Sequence, residues 1–80
     1  MKDAATIKLT STRVRLGQAA MDRCLREARD RGITGRDTTQ DPASSERTLH
    51  LEGDSRAIQN FKVWLIRNDV RVEDLPPAGG

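Results

Sequence analysis

Along these 80 residues the spacing of apolar side chains switches between a period of two and a period of about 3.6. The order of the switches leaves few ways to fold. Ala5 to Ser11 alternates, with Ile7 and Leu9 on one side and Thr6, Lys8 and Thr10 on the other, as a strand with one buried face does. From about Leu16 to Arg31 the spacing is helical: Gly17, Met21, Cys24, Leu25 and Ala28 share a stripe, and Gly32 supplies a stop. The opposite face carries Asp22–Arg26 and Glu27–Arg31, both with the acid four residues before the base, the favourable order on a helix.

Ile33 to Gln40 has threonines suited to a strand but only Ile33 as an apolar residue, which fits a sheet edge. Residues 41–45, Asp-Pro-Ala-Ser-Ser, have turn composition. Arg47 to Glu52 alternates again, with Leu49 and Leu51 inward, Thr48 and His50 outward, and Gly53 as its end. Asp54 or Ser55 can cap a second helix running to about Asn68. Ala57, Ile58, Phe61, Trp64 and Leu65 fall on one face of it, Val63 and Ile66 on the far side. Val70 and Val72 mark a last strand, and residues 76–80 form a Pro/Gly tail without regular structure. Two right-handed strand–helix–strand crossovers in this order predict one α+β domain over residues 1–75. The arrangement resembles the ferredoxin-like βαββαβ sandwich, a four-stranded antiparallel sheet with both helices on one face.

Composition narrows the functions. Apolar residues make up 35% of the chain and Phe61 and Trp64 are its only aromatics, so the core is thin and a partner, a second copy included, would help it. Fourteen basic and twelve acidic residues leave a charge of +2, which predicts neither nucleic-acid nor membrane binding. Cys24 is the only cysteine, which excludes an internal disulfide. No apolar run approaches the roughly 20 residues that span a bilayer, and the opening Met-Lys-Asp-Ala-Ala-Thr has no stretch fit for a secretion signal. A cytoplasmic location is expected.

Catalysis finds little material. A triad needs a histidine beside a nucleophile and a zinc site usually several His or Cys ligands, yet the chain has one of each. His50 is expected outward on a sheet face and Cys24 inward on a helix. Glu73 and Asp74, adjacent on a strand, point to opposite faces, and Gly32 and Gly35 lack the spacing and lysine of a phosphate loop. The reading is therefore non-enzymatic, without metal or cofactor. RNA-recognition sheets of this topology stack bases on central-strand aromatics, whereas the outward positions here are Thr6, Lys8, Thr10, Thr48, His50 and Glu52. The arginines of the first helix alternate with acids; Arg13 and Arg15 form the one basic cluster.

Leu49 to Leu75, with a strand, Gly53, an amphipathic helix bearing Ile58 and Leu65, and the run Val70-Arg71-Val72-Glu73, resembles the second half of the NIL domain. That resemblance implies a ferredoxin-like regulatory module of the kind attached to methionine-transporter ATPases. Ile33-Thr34-Gly35 and Trp64-Leu65 are similar to the acylphosphatases. That family's activity needs an anion-cradling loop and an arginine at the start of the first helix, where this chain has Leu-Gly-Gln-Ala-Ala-Met. The end, Leu75-Pro76-Pro77-Ala78-Gly79-Gly80, resembles the small sulfur-carrier subunit of molybdopterin synthase, whose terminal Gly-Gly becomes a thiocarboxylate. Those carriers are β-grasp folds with no long helix directly before the last strand.

The sequence thus predicts a non-catalytic binding or regulatory module that takes a small ligand, a protein partner or a second copy, with nucleic acid and membrane unlikely partners. Candidate binding residues are Lys8, Thr10, Thr48, His50 and Arg71 on the open sheet face, Arg13 and Arg15 in the first loop, and Val63 with Ile66 on the second helix. The alternatives are a carrier using Gly79 and Gly80, and a weak RNA-binding protein.

Overall fold

A computed structural model describes residues 2–11, 13, 16–41 and 45–76. Its elements run β1 (Lys2–Ser11), α1 (Gln18–Asp30), β2 (Thr34–Asp37), β3 (Glu46–Asp54), α2 (Ser55–Arg67) and β4 (Val70–Leu75). The strands form one antiparallel sheet in the order β2-β3-β1-β4. With the two helices packed against each other over one side, this is the ferredoxin-like α+β fold. The strands with the strongest apolar alternation, β1 and β3, occupy the centre, where one face of each must be buried.

Period and burial agree. Ile7 and Leu9 on β1 and Leu49 and Leu51 on β3 are fully buried beneath Met21 of α1 and Phe61 and Leu65 of α2. Ala28, Cys24, Ile58 and Val70 complete that layer. α1 stops where Gly32 takes a φ of +78°, a conformation that costs a glycine little, and Ile33 N–H then bonds back to Ala28 O at 2.9 Å. Asp54 is the cap of α2: its carboxylate accepts from the backbone N–H of Arg56 at 3.1 Å and of Ala57 at 3.4 Å. Such a cap contributes about 1 kcal/mol.

Three boundaries depart from the sequence reading. β1 starts at Lys2, because β3 extends far enough to pair Lys2 with Asp54 and Asp3 with Gly53. Gly53 lies inside β3 rather than ending it. A Cβ there would sit 3.3 Å from Ile33 Cα and 3.4 Å from Gly32 O, so the glycine admits the chain that leaves α1. The first strand of the hairpin is shorter than residues 33–40, covering Thr34–Asp37 alone.

One residue contradicts its type. Arg47 is 5% exposed, beneath the helices, in phase with Leu49 and Leu51. Its Nη2 donates to Asp37 Oδ2 at 2.9 Å, while its Nε is buried with no hydrogen-bond partner. Asp37 Oδ1 accepts from Thr39 N–H at 2.9 Å, and Thr39 Oγ1 accepts from Thr48 N–H at 3.0 Å. This cluster closes the outer end of the β2–β3 hairpin. No described helix is long and apolar enough to cross a membrane.

Candidate binding site on the open sheet face

The face away from the helices is set by the other half of the strand alternation. Register places its side chains in rows across the sheet. Arg36, His50, Thr6 and Leu75 make one row; Thr48, Lys8 and Glu73 the next; Glu46, Thr10 and Arg71 the third. The sequence-derived residues Lys8, Thr10, Thr48, His50 and Arg71 therefore do share this face. They do not share a chemical state. Lys8 Nζ lies 2.9 Å from Glu73 Oε2 and 3.9 Å from Glu46 Oε2. The hydrogen bond to Glu73, with the charges of Glu46 and Glu73, holds the Lys8 ammonium above its ordinary pKa, against a small opposing effect of burial. Lys8 is thus held as an ammonium in an ion pair with Glu73 on this face.

His50 is held from both sides. Its Nδ1 is 3.2 Å from Thr6 Oγ1 and its Nε2 is 3.3 Å from Glu52 Oε1. A carboxylate only accepts, so a neutral imidazole here carries its proton on Nε2 and takes the Thr6 hydroxyl proton at Nδ1. The order hydroxyl, imidazole, carboxylate is that of a hydrolytic triad. Around Thr6, however, the backbone N–H groups of β1 belong to a central strand, flanked by β3 and β4 and bonded within the ladder. The relay fixes His50 and Thr6 as positioned polar groups.

Beside them lies a recess of about 860 Å³, lined by Ala4, Thr6, Arg36, Thr48, His50 and Leu75 among others. A smaller one of about 120 Å³ between Thr34, Arg36, His50 and Glu52 shares its wall. Arg36 is absent from the sequence-derived set, yet among the described residues it is the one arginine, lysine or carboxylate side chain lining the larger recess. It has no ion-pair or hydrogen-bond partner among the described residues. An arginine on a weakly apolar segment carries no signal of its own; only the β2–β3 register, which sets Arg36 opposite His50, brings it to the site.

The remaining candidates lie elsewhere. Arg13 is exposed, its Nε 3.4 Å from Asp69 Oδ2. Arg15, Gly79 and Gly80 lie outside the described residues. Val63 and Ile66 are exposed on α2. Cys24 is buried, and burial raises its thiol pKa, with Arg23 opposing the shift only in part. No cluster of three His, Cys, Asp or Glu suited to a metal occurs among the described residues. No protein-family model and no curated protein matches the chain.

Proposed function

We propose that this domain is a non-catalytic binding module whose open sheet face takes a small anionic ligand, its negative group on Arg36 and its apolar part over Ala4 and Leu75. The observation that carries this reading is a guanidinium with no partner among the described residues, in a recess whose described lining contains no carboxylate. A recess of this volume is in the range of small-molecule sites, which combine apolar walls with a few fixed polar groups. Arginine presents a planar fork of donors to a carboxylate or phosphate. The hydroxyl of Thr48 and the imidazole of His50, locked by Thr6 and Glu52, stand beside it.

The test is a titration of isotope-labelled protein followed by amide NMR, with inorganic phosphate in one arm and a medium-chain carboxylate in the other. Saturable shifts confined to Thr6, Arg36, Thr48 and His50 are expected. The stronger-binding arm identifies the anion. Arg36→Ala should then weaken binding by roughly tenfold or more, the effect of losing a charge-assisted pair. Shifts scattered over the surface, or undiminished binding by Arg36→Ala, would overturn the reading.

A further inference from the structure

We propose that the outer edge of β4, with the adjoining flank of α2, is a self-association surface: two copies pair β4 antiparallel about a two-fold axis through Val72, giving a continuous eight-stranded sheet. The ladder itself says which backbone groups are available. Thr38 N–H donates to Thr48 O at 2.9 Å, two residues on from the pair Arg36 and His50. Hydrogen-bonded pairs alternate along antiparallel strands, so His50 and Glu52 bond toward β2 while Leu49 and Leu51 bond toward β1. Continued through the registers of β1, the alternation makes Ile7 and Leu9 bond to β3 and Lys8 and Thr10 to β4. Arg71 and Glu73 are therefore bonded inward. Val70, Val72 and Asp74 turn their N–H and C=O outward, to an edge that has no strand beside it among the described residues.

That edge can pair with itself only in registers that set these outward residues opposite one another. With the axis through Val72, Val70 of each copy meets Asp74 of the other, and about six backbone bonds form. The same register puts Arg71 of each copy opposite Glu73 of the other on the open face, two favourable cross-strand pairs. Moving the axis to Arg71 sets two arginines opposite each other; moving it to Glu73 does so with two glutamates. Charge complementarity thus selects one register, and it is the one that centres Val72.

The helix side of the edge agrees. Val63 and Ile66, 42% and 59% exposed, are the exposed large hydrophobic residues of the described chain. Three residues apart, they share a flank of α2. Ile66 lines a shallow recess of about 380 Å³ with Val70, Arg71 and Val72, which places that flank over the outer side of β4. Lys62 Nζ, 2.7 Å from Asp74 Oδ1, ties the middle of α2 to the far end of the strand. In the paired sheet Val63 and Ile66 of both copies face each other above the two Val72 side chains. The opposite edge offers less: β2 has four residues, and two of them are Arg36 and Asp37. An edge that short offers fewer backbone bonds than the six residues of β4.

Charge reversal tests the register and separates it from folding. In sedimentation velocity over a concentration series into the millimolar range, the parent chain is expected to reach a dimer. R71E and E73R, each with an unchanged far-ultraviolet circular dichroism spectrum, should each dissociate at least roughly tenfold more readily, since both cross-strand pairs become repulsive. Mixed in equal amounts, the two variants should associate with one another, because every facing pair then has opposite charge. A second, independent variant, V63K/I66K, should also be monomeric. A parent chain that stays monomeric throughout, single variants that dimerise as well as the parent, or a mixture that fails to associate would each overturn the proposal.

Discussion

Arg47→Ala is expected to lose about 3 kcal/mol of folding stability, the lower end of what removing one partner of a buried ion pair costs, because Asp37 is 22% exposed. Domains of this kind have only about 5–15 kcal/mol in total, so the urea midpoint should fall by a large fraction. The cause is not the strength of the Arg47–Asp37 bond at 2.9 Å. Alanine would leave the Asp37 carboxylate facing the end of the core without its counter-charge, and would open a cavity where the guanidinium stem lay. The native pair is itself imperfect, since Arg47 Nε is buried and unbonded. Arg47→Met combined with Asp37→Asn should therefore recover most of the loss: methionine fills the stem's volume and asparagine keeps the acceptor for Thr39 N–H. A loss below about 1 kcal/mol in Arg47→Ala would mean that the arginine is solvated.

The same pair sets an acid limit. Burial alone pushes the Asp37 carboxyl up, but hydrogen bonds from Thr39 and the charge and bond of Arg47 outweigh it and leave the pKa below the ordinary value. A carboxyl depressed on folding stabilises the native state fully above its unfolded pKa of about 3.9, and that contribution disappears as pH falls through the folded value. Stability measured by urea titration should thus decline below about pH 4, and the decline should be shallower in Asp37→Asn. An unchanged slope in that variant would assign acid sensitivity to other carboxylates.

How much of this was legible in the sequence depends on which distances the relevant signal spans. Alternation and helical spacing are local, and they were enough to put Ile7, Leu9, Leu49 and Leu51 inside and to assign Ala57, Ile58, Phe61 and Leu65 to one face of α2. Arg47 was legible by parity and hidden by residue type: it is in phase with Leu49 and Leu51, and only its charge argued for the outside. The length of β1 was not legible, because Lys2, Asp3 and Ala4 join the strand by pairing with β3 and carry no pattern of their own. Gly53 was misread as punctuation for a similar reason, since the chain it makes room for, Gly32 and Ile33, is distant in sequence. The candidate site divides in the same way. Alternation placed Thr48 and His50 on the open face, but Arg36 reaches His50 only through hairpin register, which a strand with so few apolar residues leaves unspecified.

Phe61→Ala is expected to cost about 3–5 kcal/mol, at least as large as the loss at Arg47 but by a different route. Phe61 is fully buried and stacks on Trp64 with ring centroids 5.9 Å apart and 11° between planes. With 35% apolar residues and two aromatics in the chain, no other side chain of that size can move in to fill the space. The cost is then transfer free energy plus an unrelaxed cavity, and Trp64 loses a contact that itself contributes about 0.5–1.5 kcal/mol. At about 4–8 °C per kcal/mol for a domain of this size, the thermal midpoint should drop by well over 10 °C. Because Trp64 is the only tryptophan, its fluorescence reports the event directly: emission should shift to the red in the folded variant before any unfolding. Phe61→Leu, which retains most of the volume and none of the stacking, should lose less than half as much. Equal losses for leucine and alanine would assign the effect to the ring stack rather than to the filled core.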